Sequence, residues 1–220
     1  MLRSISVKRT ASGYVQATFQ AAVDAVIPPV FQGSGGSIQI VGAAQLGVHK
    51  YVIRQLDHSQ FIPVGMPVEP LMSLSMSTAV MLDAGAEELV HIGAMTDPVS
   101  RMLYPEGGTF SALSRINRLK AIALINQLAI PIHALPFPYQ NNPGLIQTMM
   151  ESLHQLTMFG YYSEWFGYGR TRCLPPEEQR VECFPPGWRM SGYPGPSFGY
   201  RGLRGFLLKY PHQKGADGYE

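Results

Sequence analysis

Residues 160–202 read GYYSEWFGYGRTRCLPPEEQRVECFPPGWRMSGYPGPSFGYRG, a density of prolines, glycines and aromatic rings that ordinary helix or strand does not accommodate. Pro175, Pro176, Pro185, Pro186, Pro194 and Pro196 each lack a backbone donor and fix φ. The glycines permit turns closed to other residues. Yet disordered linkers are poor in aromatics, and this segment carries Trp165, Phe166, Trp188, Tyr193, Phe198 and Tyr200. It therefore reads as an ordered, irregular arm that buries aromatic anchors. Two surfaces can receive them: the chain's own helical core, or a second protein that the arm clasps. Trp, Tyr and Arg are the residues that most often anchor interfaces.

The rest of the chain reads as helical. Val15, Phe19, Ala22, Val23 and Val26 mark one face of a helix over 14–27, stopped by Pro28 and Pro29. FQGSGGS (31–37) reads as a loop. Residues 38–58 show helical spacing again, although Gly42 and Gly47 each cost a helix about 1 kcal/mol relative to Ala. A Met- and Ala-rich helix is expected over 71–95, with Asp83, Glu87 and Glu88 on its wetter side. Residues 109–128 predict a continuous central helix, with Thr109 as a cap and Phe110, Leu113, Ile116, Leu124 and Leu128 inward. A last helix runs over about 144–160, on the stripe Ile146, Met149, Met150, Leu153, Leu156 and Gly160. The expected fold is all-α, a bundle of about five helices over residues 1–160, followed by the arm over 161–220.

Composition excludes several function classes. The formal net charge is +2 and the basic residues are scattered, so nucleic acid is not an expected partner. Nothing approaches the run of about eighteen apolar residues that a transmembrane helix needs. The first residues have no apolar core and no small-residue cleavage site, so they do not read as a secretory signal. A cytoplasmic location is expected unless an exported partner carries the chain. Charged residues make up 15% of the sequence against the usual ~25%, as though a partner covers part of the surface.

Catalytic patterns are sparse. There is no phosphate-binding glycine loop, nucleophile elbow or HExxH. Glu88 and His91, and Glu151 and His154, each make an ExxH pair, half of a di-iron motif. The complementary helices offer only Asp24, so both pairs read as solvated helix faces and no metal is expected. The methionines read as adaptable packing. Cys173 and Cys183 have no neighbouring His and allow two readings. They are reduced thiols, or they form a bridge worth roughly 2–3 kcal/mol. The stiff Pro175-Pro176 and Pro185-Pro186 pairs beside them favour the bridge, which would pre-organise the arm.

Gly160-Tyr161-Tyr162, the later Trp188, and Gly192-Tyr193-Pro194-Gly195-Pro196 are similar to the C-terminal signature of the gluconate 2-dehydrogenase subunit 3 family. FQAAVDAVIP (19–28) resembles that family's opening helix, with an acidic residue, an apolar pair and a proline. The middle resembles it only in helix pattern, with Phe110 and Leu113 opening the fourth helix. The family is the small subunit of bacterial flavin-dependent sugar and polyol dehydrogenases. The resemblance implies a non-catalytic helical subunit that binds and stabilises a large FAD-bearing partner of the glucose–methanol–choline type and supports its export. The cofactor, FAD, is then expected in the partner and not in this chain. The twin-arginine signal of many members is absent here. The expected partner-binding residues are Tyr161, Tyr162, Trp165, Phe166, Trp188, Arg189, Tyr193, Pro194, Phe198 and Tyr200. The alternatives are self-assembly through exchange of the arm and a helical metal enzyme using the ExxH pairs.

Overall fold

The computed structural model describes residues 11–32, 37–58, 72–100 and 102–195. The element order is α1 (Ala11–Val26), β1 (Val30–Gln32), β2 (Ser37–Ile40), α2 (Val48–His58), α3 (Leu74–His91), α4 (Thr109–Ala112), α5 (Arg115–Asn126), α6 (Pro143–Tyr162) and α7 (Pro186–Ser191). Among the described residues the fold is mostly helical, and five of the seven helices are substantial. The chain divides into two compact units between Met158 and Phe159, within α6.

In the first unit α3 packs on α5, α4 and α1, and α1 packs on α2. The core is built from Phe19 and Val23 of α1, Val48, Val52 and Leu56 of α2, and Met81, Leu82 and Leu89 of α3. Phe110, Leu113, Ile125, Tyr139 and Ile146 complete it. Small residues let α3 and α5 approach closely. A Cβ on Gly85 would lie 2.5 Å from Ile125 Cδ1 and 3.1 Å from the Ala121 carbonyl oxygen. Ser73 caps α3, its hydroxyl accepting from Met76 N at 3.2 Å. Asp57 of α2 braces that end, accepting from Ser75 N at 2.9 Å and from Ser75 Oγ at 2.8 Å.

Several local expectations are corrected. Residues 38–40 are strand and not the start of a helix, and Phe31, Gln32 and Ser37 are strand rather than loop: SIQI alternates with period 2 and pairs antiparallel to β1, with Phe31 opposite Ile38. The turn that follows folds onto the end of α1, where Ala43 N donates to Ile27 O at 2.9 Å. A Cβ on Gly42 would lie 2.5 Å from Pro29 N.

The run 109–128 is not one helix. Leu113 is extended, with φ −73° and ψ 155°, and separates α4 from α5. Ser114 caps α5, accepting from Asn117 N at 3.4 Å, while its hydroxyl donates to Asp97 Oδ2 at 2.6 Å. Thr109 is not the cap of α4. The side chain of Asp83 fills that place, accepting from Phe110 N at 2.8 Å and from the Tyr14 hydroxyl at 2.7 Å. Asp83 is thus half-buried and occupied rather than a wetter-side residue.

The facing of α5 is also corrected. Ile116 is 59% exposed, whereas Asn117 and Arg118 are buried. Asp24 explains this. Its carboxylate accepts from Arg115 Nε at 2.8 Å and Nη2 at 3.0 Å, and from Arg118 Nη1 at 3.2 Å. Arg118 also donates to the Ser111 carbonyl at 2.8 Å, and its guanidinium lies 5.1 Å from the centre of the Tyr104 ring. Asp24 is the acidic residue of the FQAAVDAVIP segment, and here it is a buried counter-ion.

Candidate functional site: an aromatic and methionine surface

The second unit begins with the last turn of α6. Its backbone is turned by Tyr168 N donating to Glu164 O at 3.1 Å and Gly169 N to Phe166 O at 3.1 Å. The Tyr168 hydroxyl donates to Glu164 Oε1 at 3.1 Å. Burial, and then the Glu164 charge, push the Tyr168 pKa well above its ordinary value. Arg172 Nε donates to Gly169 O at 2.7 Å, and its guanidinium lies 5.7 Å from the ring centres of both Trp165 and Phe166. These contacts hold the turn over the aromatic pair.

The loop that follows is closed by hydrogen bonds. Thr171 Oγ1 donates to Arg180 O and accepts from Arg180 N, both at 3.0 Å. Glu182 N and Cys183 N both donate to Gly167 O, at 2.7 and 3.2 Å. This pairing sets Thr171 opposite Arg180 and Gly167 opposite Cys183. Cys183 therefore faces a position six residues before Cys173, and the thiols are not register partners. Both cysteines are free and exposed, so the expected bridge is not formed.

The arm also contains a helix that the proline count hid. Pro185 and Pro186 open α7, where a missing donor costs nothing. Gly192, with φ 70°, closes it in the left-handed conformation. Tyr193 N then donates to Trp188 O at 2.9 Å. That bond is the 6→1 closure of a Schellman motif, which brings the two flanking side chains together. The Trp188 and Tyr193 rings accordingly meet edge-on at 5.0 Å, with Phe184 edge-on to Trp188 at 5.6 Å.

Helix α7 sits directly on the end of α6. A Cβ on Gly187 would overlap the Tyr161 carbonyl oxygen and lie 2.8 Å from Tyr162 Cα. The Tyr161 hydroxyl donates to Met190 Sδ at 3.1 Å. The Tyr161 and Tyr162 rings meet edge-on at 5.1 Å.

The expected partner-binding residues therefore separate into two groups. Tyr161, Trp165 and Trp188 are buried in the chain itself, at 1%, 5% and 7% exposure, and support a surface rather than form it. Tyr162, Arg189, Tyr193 and Pro194 are exposed, and Phe166 is intermediate. Phe198 and Tyr200 lie outside the described residues. Sequence reasoning missed Phe159, 63% exposed, and Met190, 46% exposed. The signal for Phe159 was present: it lies three residues before Tyr162, on the side of α6 away from the Ile146–Met149–Met150–Leu153 stripe. The exposed set is then Phe159 and Tyr162 at the end of α6 and Arg189, Met190 and Tyr193 in and after α7, and the buried Tyr161 joins the two segments through Met190.

The ExxH pairs are placed differently. Glu151 and His154 are exposed on α6. Glu88 and His91 line a cleft of about 410 Å³ with Tyr14, Asp83, Glu87 and Leu135. Among the described residues no group of three or more His, Cys, Asp or Glu side chains is placed to hold a metal ion, and no helix is long and apolar enough to cross a membrane.

No protein-family model matches this sequence, and comparisons with curated proteins and with solved structures likewise find no match.

Proposed function

We propose that this chain is a non-catalytic accessory subunit whose C-terminal unit docks on a large FAD-dependent oxidoreductase. The observation that carries the docking reading is the exposed set of Phe159, Tyr162, Met190 and Tyr193. Aromatic residues, Met and Arg are enriched at the centres of protein interfaces. Tyr162 and Tyr193 already lie edge-on to Tyr161 and Trp188, and Met190 is held by Tyr161, so these side chains have less freedom left to lose on binding.

The identity of the partner rests on the resemblance of Gly160–Tyr162, Trp188, Gly192–Pro196 and FQAAVDAVIP to the gluconate 2-dehydrogenase subunit 3 family. On this reading the partner is of the glucose–methanol–choline type, holds the FAD and performs the chemistry. This chain stabilises the partner's fold and assists its export.

The test is native purification of the tagged full chain from its own cell. The proposal expects a co-eluting large subunit in fixed ratio, with flavin absorbance in the same fraction. Peptide sequencing should identify that subunit as a glucose–methanol–choline oxidoreductase. A chain that elutes alone, or only with copies of itself, overturns the reading.

A further inference from the structure

Met190 occupies a position unlike that of the other exposed methionines. The residue is 46% exposed, yet its sulfur is held 3.1 Å from the hydroxyl of the fully buried Tyr161. That contact ties the last turn of α7 to α6. A second fixed point is Gly187, one turn earlier, where the helix backbone lies hard against the Tyr161–Tyr162 backbone. The third is Trp188, buried and edge-on to Phe184 at 5.6 Å.

We infer that Met190 is a modification site, an oxidation-sensitive latch whose conversion to the sulfoxide tilts α7 on α6. The oxidant is a hydroperoxide. A sulfur lone pair attacks a peroxide oxygen, the S–O bond forms and the O–O bond breaks. With hydrogen peroxide, water leaves. The thioether loses two electrons and the peroxide gains them. Oxidation turns an adaptable apolar side chain into a polar, chiral one.

The local geometry couples this change to α7. The sulfoxide oxygen is a far better acceptor than the thioether and takes over the Tyr161 hydroxyl. It stands one bond out from the sulfur, so the Met190 sulfur must move away from Tyr161. The helix cannot slide to compensate, because Gly187 has no room against the Tyr161 carbonyl. It pivots there, and the Trp188–Tyr193 ring contact, built on the same helix end, moves with it. This inference concerns the free chain, in which Met190 is open to solvent; a partner docked on the same surface would shield it.

Stepwise hydrogen peroxide treatment of the full chain tests it. Peptide mass mapping would report each sulfoxide, and near-ultraviolet circular dichroism would report the aromatic packing. Met102, 90% exposed, is the comparison. In wild type and in Met102→Leu, the aromatic spectrum should change in proportion to Met190 sulfoxide and revert with methionine sulfoxide reductase. Met190→Leu should show no such change. Tyr161→Phe keeps the ring and removes the donor; it should still be oxidised at Met190, with a smaller spectral response. An unchanged spectrum in fully Met190-oxidised protein overturns the inference. So does the same change in Met190→Leu, or a Met190 that stays reduced while the less exposed Met158 is oxidised.

Discussion

Asp24 and Arg118 face each other at 3.2 Å although 94 residues separate them, and only 3% of either side chain is exposed. Burial lowers the Arg118 pKa, opposed chiefly by Tyr104 and Asp24. A buried ion pair adds little net stability, but removing one partner leaves the other charge uncompensated.

Asp24→Ala should therefore destabilise the first unit by about 3–5 kcal/mol. Arg118→Met should cost less. It leaves Asp24 its two bonds from Arg115, a residue 40% exposed to solvent, and deprives mainly the Ser111 carbonyl. Urea unfolding of the two variants measures the order. Equal losses, or a larger loss for Arg118→Met, would sink this account of the network.

His49 should make the fold acid-sensitive. It is buried, its Nδ1 has no hydrogen-bond partner, and burial, helped by Lys50, lowers its pKa from 6.5 to about 4. The folded chain therefore holds fewer protons than the unfolded one between those values. The stabilisation is complete above about pH 6.5 and is lost as the pH falls towards 4. The full effect is on the order of 3 kcal/mol. Unfolding free energies measured from pH 7 to 4 for wild type and His49→Leu should diverge in slope. Parallel curves would refute the assignment.

Gly85→Val should overpack the α3–α5 crossing. Even the Cβ alone would meet Ile125, so a loss of about 1–3 kcal/mol is expected. The companion change Ile125→Ala should recover part of it. Thermal unfolding of the single and double variants decides the matter, and simple additivity would show that the two positions do not share that space.

The two roles in the C-terminal unit should separate under mutation. Phe159→Ala or Tyr193→Ala should weaken the proposed complex by about 2 kcal/mol and leave the isolated chain as helical as before. Trp188→Ala should instead cost about 3–5 kcal/mol of stability, because it empties a buried site. Binding titrations beside melting curves distinguish these outcomes. A destabilised Tyr193→Ala chain would count against a surface role for that ring.

Both thiols should react with iodoacetamide in the native protein without prior reduction. Recovery of a Cys173–Cys183 cross-linked peptide under non-reducing conditions would contradict the register that Thr171 and Arg180 define.

Helix content was legible because apolar spacing reports a buried stripe directly. The stripe from Ile146 to Leu153 located α6, and Phe19 with Val23 located α1. What stayed hidden depended on residues distant in sequence. The facing of α5 cannot be read from its own pattern, since Asn117 and Arg118 go inward only because Thr96 and Asp24 receive them. The break at Leu113 was equally silent, because Ser114 reads as an ordinary helical residue until Asp97 is beside it. In the C-terminal unit the aromatic residues were conspicuous but their exposure was not. Trp188 and Tyr193 looked alike as anchors, and the Schellman closure buries one and leaves the other open.

The cap that Asp83 supplies to α4 carries a kinetic implication. A local cap forms as soon as its own turn forms, but this one joins residues 27 apart. Helix α4 is four residues long, far below the ~12–15 at which an isolated helix persists in water. It has to wait until α3 exists and the intervening chain has closed, which loses entropy before any contact repays it. The α3–α4 junction should thus be absent from the folding transition state. Mutations at Asp83 would then accelerate unfolding while leaving the refolding rate almost untouched.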